Sequence, residues 1–519
     1  MNARFTRRGL LKASAATGFS FAMPAISRAQ SRPMFTHGLQ SGDVDQSSGM
    51  VWARADRPAK VHFEYATTDS FKDSVKLPPL HALPEDDFAV KRLLADLPAD
   101  QDIFYRVMLA DLSDVNSMSE PMVGRFRTAP SAKRTVNFAW SGDTMGQGFG
   151  INEGESAMLT YAAMAKHKLD FLIHSGDTIY ADGPIAAEKD VPGGGKWKSN
   201  VAEGVEKVAE TLAEYRGRWK YNLMDKNMQV FNLAVPTFYQ WDDHEVINNW
   251  SDSKNIMADD RYKEKSVQLL RARAARAFHE MTPIRYTPAE PGRVYRKIAY
   301  GPTLDVFFID LRSYRNANGS NLETEIDAAR MMGAAQVAWL KSELKASKAT
   351  WKVIACDMPI SLVVWDDFKN KKGFEAVANN DGGAPLGREL EFADLLKFIK
   401  TDNITNTVWF TADVHYTAAH YYDPNKAQFQ DFNPFWEFVS GPLHAGSFGP
   451  NDLDATFGPE LKFYAGPAKG QEQNQPPSAG LQFFGLVEID GSTEQMTVRL
   501  MNRDDKELYK QVIDPVRKA

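Results

Sequence analysis

Cysteine is nearly absent from this chain: one, Cys356, among 519 residues. No intramolecular disulfide can form, so the fold has to be held by its core or by bound ions. A basic excess is also missing. Lys and Arg number 61 against 67 Asp and Glu, a formal charge of −6. That leaves no electrostatic footprint for nucleic acid. No internal repeat or low-complexity tract appears, and no apolar run is long enough to span a bilayer as a helix. What remains is ordinary for a globular protein: 43% hydrophobic and 25% charged residues, with 31 Phe and 11 Trp to fill an interior.

The first residues read as an export signal. "TRRGLLKASAATGFSFAMPAISRAQS" has a basic start, a short broken apolar stretch and a small-residue end. Arg7 and Arg8 before "GLLK" resemble a twin-arginine signal, and Ser27-Arg28-Ala29 offers a cleavage site. Residues 1–29 are therefore expected to be removed, the partner being the twin-arginine export machinery and the destination periplasmic or secreted. Their loss takes away Arg4, Arg7, Arg8, Lys12 and Arg28 and no acid, moving the formal charge from −6 to −11. The mature chain carries no expected transmembrane segment, and its acidity suits cations better than polyanions. Cys356, inside the strand-like "WKVIACDMPI", reads as a buried, inert thiol.

Two textures follow. Residues 33–130 show short alternating segments separated by turn residues, the pattern of a small β-sandwich of immunoglobulin or fibronectin type. "TAPSAKR" is a linker. From 135 to 519 apolar strands alternate with helical patterns such as "RARAARAFHEMT" and "GAAQVAWLKSELKAS", an α/β layered domain. Strands are expected at "TVNFAW", "FLIHSG", "TFYQWD", "LDVFFID", "WKVIACD" and "TVWFTAD". The Gly- and Pro-rich 181–200 segment is expected to be a loop near the site.

Four of these strands end in acids. "VNFAWSGDT" runs into Asp143, "FLIHSGDTIY" into Asp177 and Tyr180, "TFYQWDDHE" into Asp242, Asp243 and His244, and "TVWFTADVH" into Asp413 and His415. Any one alone is most simply a turn, cap or core residue. Ligands gather beyond the carboxyl ends of α/β strands, so four such ends in one domain imply a cluster. Carboxylates crowded into one cleft repel, and cations resolve the repulsion. Oxygen ligands with some imidazole suit Ca²⁺, Mn²⁺, Fe³⁺ or Mg²⁺ better than a cysteine-rich zinc site.

"GDTIY", "WDDHEVINNW", "DLRSYR", "GAAQVAWL" and "TADVHYTA", with "FTHGLQSGDVDQSSGMVWAR" upstream, resemble the alkaline phosphatase D family of calcineurin-like metallophosphoesterases, in order and over nearly the whole mature chain. The resemblance implies a four-layer α/β/β/α domain, preceded by the β-sandwich, around two or more metal ions. It implies Asp177 as bridging ligand, Tyr180 on the more oxidised metal, Asp243 on the second, Asp413 and His415 completing the two spheres, and His244 as leaving-group acid. Ca²⁺ and Fe³⁺ are the metals it suggests, with Mn²⁺ or Mg²⁺ as alternatives. Family members with an iron–calcium centre carry Cys where this chain has Gly142, so Asp143 is expected to supply that ligand. Arg312 and Arg315 are expected to brace the site by ion pairing rather than touch phosphate. The implied activity is hydrolysis of phosphate esters by a metal-bound hydroxide, on small esters or phospholipids. Two alternatives stand beside it: a phospholipase D-like phosphodiesterase on the same fold, and a non-catalytic metal- or phosphate-binding protein.

Overall fold

A computed structural model describes residues 32–152 and 158–517. The expected export signal lies outside the described residues. Strands Phe35–Gly42, Gly49–Ala55 and Ala89–Leu94 form one antiparallel sheet. Ala59–Ala66, Asp102–Asp111 and Met122–Arg127, with two short flanking strands, form a second. Val51, Phe63, Ile103, Val107 and Phe126 are buried between them, a two-sheet sandwich.

The six strands read from apolar runs all form, but not in one sheet. Val136–Ser141, Phe171–His174 and Thr237–Tyr239 pair in parallel in a six-stranded sheet, completed by antiparallel strands from the C-terminal segment, Phe483–Ile489, Met496–Asn502 and Glu507–Ile513. Leu304–Phe308, Trp351–Ala355 and Thr407–Thr411 pair in parallel in a separate seven-stranded sheet, continued by Phe435–Val439. The two sheets pack face to face. Side chains alternate along each strand: Phe138, Trp140, Phe171 and Ile173 meet Val306, Phe308, Val353 and Phe410 in the inner core. Trp140 and Phe410 rings lie 4.3 Å apart across it.

The alternate residues face outward onto helices. Ala139 and Leu172 join the core of Leu212–Asn222 and Val267–Met281. Phe307, Ile354 and Trp409 join that of Ala334–Ala346 and Glu389–Thr401. The layering is therefore α/β/β/α. Strands buried on both faces read as continuous apolar runs, which is why they were visible in sequence and the division between sheets was not. A short helix, Leu159–Met164, follows the first strand of the α/β domain, and the 181–200 loop contains a small hairpin, Glu188–Asp190 with Lys196–Lys198. Among the described residues no helix is long and apolar enough to cross a membrane.

Candidate metal centre

The parallel strands of both sheets end on the same side, and the acids project just beyond them. Asp143, Asp177, Asp413 and His415 sit at φ of 61°, 52°, 67° and 61°. This left-handed region costs a non-glycine residue energy that surrounding structure has to repay. Asp tolerates it best among charged residues, which suits short reversals after a strand. Gly142 precedes the first of them. A Cβ there would lie 2.8 Å from the Ala412 Cβ and 3.1 Å from the Gly176 carbonyl oxygen, so the position is walled by neighbouring strand ends. The carboxylate of Asp143, one residue on, is the one that enters the cleft.

Ligand atoms converge in three groups, buried but for the half-buried Asp413: Asp143, Asp177 and His415; Asp177, Asp243 and His244; and Asp242, Asp243 and Asp413, each within 4.8 Å. Asp177 is shared by the first two groups and Asp243 by the last two. Tyr180 joins the first group, its hydroxyl 2.7 Å from His415 Nε2. All the residues expected at the site are thus brought together, with Asp413 and His415 in different groups. These groups could hold metal ions. The fit test is the state of their oxygens: both carboxylate oxygens of Asp143, Asp242 Oδ2 and Asp243 Oδ1 are buried with no hydrogen-bond partner. Orphaned buried anionic oxygens are costly, and cations are what such a set lacks.

Electrostatics point the same way. Burial, and then the neighbouring carboxylates, push Asp143, Asp177 and Asp413 well above the usual carboxylate range. Burial holds His415 at about 4, a neutral imidazole. Its Nδ1 donates to the Gly446 carbonyl, which leaves Nε2 as the coordinating atom facing the first group.

His244 behaves differently. Its Nδ1 is 2.6 Å from Asp182 Oδ1, and Nε2 lies 3.9 Å from Asp243 Oδ1. Burial acts to lower its pKa, but Asp182 and Asp243 outweigh burial and raise it to about 9. The ring stands 4.3 Å from that of Tyr180 and lines a cavity of about 520 Å³ on the outer side of the centre.

Three supporting residues escaped the sequence reading. Asp182 orients His244 and is itself held by the Asn248 N–H at 3.0 Å. Glu245 accepts the backbone N–H groups of Asp177 (3.0 Å), Thr178 (2.6 Å), Ile179 (3.2 Å) and Asp242 (2.7 Å), pinning two strand-end loops together. Glu375 pairs with both Arg312 and Arg315. Asp182 stands five residues after Asp177 and Glu245 beside His244, so adjacency to the motifs was the available signal; Glu375 had none. Arg312 is fully buried, pairs with Asp242 at 2.5 Å and lies 3.7 Å from Asp413, a brace, as expected. Cys356 is buried on the helix-facing side of its sheet, its thiol pushed up by burial and 3.0 Å from the Met358 carbonyl, and it joins none of the three groups.

Comparison with known proteins places this geometry. Residues 138–500 match the family model "PhoD-like phosphatase", and residues 20–130 match "PhoD-like phosphatase, N-terminal domain". The alkaline phosphatase D of Bacillus subtilis (strain 168) is 28% identical over 463 residues, 83% of this chain and 73% of that one. A solved structure of PhoD superposes with a TM-score of 0.68 at 21% identity, covering 93% of this chain and 90% of the other. Purple acid phosphatase PPD1 from yellow lupin (Lupinus luteus) seeds gives a TM-score of 0.54 at 12% identity, over 93% and 74%. The last two likenesses bear on fold alone.

Proposed function

The chain belongs to the PhoD-like phosphatase family and is a phosphoric ester hydrolase; from that premise we propose that it is an exported, metal-dependent enzyme that hydrolyses phosphate esters without a covalent enzyme intermediate. The observation that carries this is the meeting of Asp143, Asp177, Tyr180, Asp243, Asp413 and His415 at the strand ends of two sheets, with buried carboxylate oxygens left unpaired. These six residues would hold the ions. Bound metal ions supply the Lewis acidity that activates water and neutralises the phosphoryl oxygens. The all-oxygen-and-imidazole donor set suits hard cations, Ca²⁺ or Fe³⁺ with Fe³⁺ on the Tyr180 side, and Mn²⁺ or Mg²⁺ as alternatives.

His244 holds the proton that the leaving oxygen needs. Asp182 binds Nδ1 and turns Nε2 toward the centre, so the imidazolium faces the position where negative charge develops. A pure binding protein has no use for that acid, which is why catalysis is preferred to metal or phosphate storage. Arg312 and Glu375 keep Asp242 and Asp413 in place rather than touching substrate. The basic, apolar and small-residue segments of residues 1–29 support twin-arginine export to the periplasm or beyond.

The test is a panel of mono-, di- and phospholipid esters, including one that is chiral at phosphorus. A single in-line displacement by water inverts that centre. Inversion, with the new oxygen drawn from solvent, is expected. Retention would mean a covalent intermediate, and stoichiometric phosphate binding without cleavage of any ester would mean a binding protein.

A further inference from the structure

His244 and Tyr180 line one cavity, so if His244 is the leaving-group acid, this is the space the leaving group would occupy. Its charges are almost all spoken for. Asp182 is paired with His244, and Glu188 with Lys196 at 2.7 Å. Arg261 is engaged with Asp259 at 2.7 Å and donates to the Asp182 carbonyl at 3.2 Å. Lys189 is the exception. Among the described residues no carboxylate pairs with it, and burial alone acts on its ammonium, bringing its pKa down to about 8.

Lys189 is also held in place rather than free to wander. It sits on the Glu188–Asp190 strand directly across from Trp197, which is buried, donates to the Gly150 carbonyl at 3.0 Å and packs edge-on against Phe149. The Lys189 ammonium lies 4.0 Å over the Phe149 ring and donates to the Gln147 carbonyl. A lysine has three N–H donors, and one is used there. Partly desolvated cations without a counter-ion are uncommon because they cost stability unless a ligand compensates them.

We propose that Lys189 is a specificity residue that selects phosphate esters whose leaving group carries its own negative charge, a carboxylate or a second phosphoryl group. This rests on the reading of His244 as leaving-group acid. It deepens that reading by giving the alcohol side of the substrate a chemistry. A neutral alcohol leaves the Lys189 charge uncompensated. An anionic one completes the ion pair inside a partly closed wall, where charge-assisted bonds are stronger than at an open surface.

The experiment compares 4-nitrophenyl phosphate with two ring-substituted counterparts, one bearing a carboxylate and one a phosphonate, on the metal-loaded full-length mature protein. The quantity read is the ratio of kcat/KM for each anionic ester to that for the neutral one. A preference of about 10-fold is expected in the wild type, falling to near unity in Lys189→Met and returning in Lys189→Arg. The carboxylate and phosphonate arms distinguish the two sources of the charge. The same pairs as non-hydrolysable phosphonate analogues, titrated calorimetrically, read the preference without turnover. Equal affinity for charged and neutral analogues in the wild type overturns the proposal, as does a preference that survives Lys189→Met. Absence of turnover on all three esters, with the binding preference intact, would count against the hydrolase reading and leave the Lys189 assignment standing.

Discussion

A proton donor for a leaving alkoxide has to keep its proton until the bond breaks. In the proposed role His244 would do so, because Asp182 and Asp243 oppose the effect of burial and raise its pKa to about 9. Its replacement by Ala is expected to cost about 10²–10⁴-fold in turnover of alkyl phosphates, the range for general acid catalysis. The loss should be smaller on a nitrophenyl ester, whose phenolate leaves without a proton. Asp182→Asn should reproduce part of the same loss, and the double variant should be no worse than His244→Ala alone, since both act on one proton. Kinetics on paired alkyl and nitrophenyl esters, with metal content measured alongside, check this. Loss of metal would mean that His244 is a ligand, and equal slowing of both esters with metal retained would mean that it positions the phosphate.

At the scale of the element, the site is made by turns that follow strands. Asp143 leaves Val136–Ser141 in a left-handed conformation and points its carboxylate against Gly441, just past the Phe435–Val439 strand of the other sheet. A Cβ on Gly441 would overlap Asp143 Oδ2. Gly441→Ala is therefore expected to push that carboxylate aside and weaken metal affinity by about 10–100-fold, the usual cost of disturbing the support of a ligand. Circular dichroism should remain native, because Gly441 does not occupy a left-handed φ. Elemental analysis reads the outcome, and full metal occupancy with full turnover would remove Asp143 from the ligand set.

Elements also show what could be read in advance. Phe171–His174 and Thr407–Thr411 announced themselves because both faces are apolar, and the acids after them stood out against that background. Leu212–Asn222 did not. It buries Arg216 and Arg218, which breaks the pattern a helix normally shows; Arg216 is paired with Glu280 at 2.7 Å and Arg218 donates to the Gly183 carbonyl at 2.7 Å. Asp182 and Glu245 were legible only as neighbours of motifs, since the groups they hold come from other parts of the fold. The split of six similar strands between two sheets depends on pairing partners far apart in sequence, and no local periodicity records it.

Across the whole molecule, one cysteine leaves stability to the core and to bound ions. Burial and mutual repulsion raise Asp143, Asp177 and Asp413 above their unfolded values of about 3.9. The folded metal-free chain then binds more protons than the unfolded one, so its stability falls as pH rises from about 4 toward the raised folded values. Cations bound to the ionised carboxylates reverse that loss. The difference in Tm between metal-loaded and chelator-stripped protein should accordingly widen as pH rises above about 4. A gap that does not change with pH would mean that the cluster is not where the metals bind.

The central claim is that these carboxylates hold the ions on which ester hydrolysis depends. The most direct measurement is phosphate-ester turnover plotted against metal content per chain, as exhaustively stripped protein is titrated with Ca²⁺, Mn²⁺, Mg²⁺ or Fe³⁺ and each sample is assayed by elemental analysis. The account predicts no turnover in the stripped protein and recovery that rises with occupancy to saturate at two or more ions per chain. Full turnover in protein shown to carry no metal would contradict it.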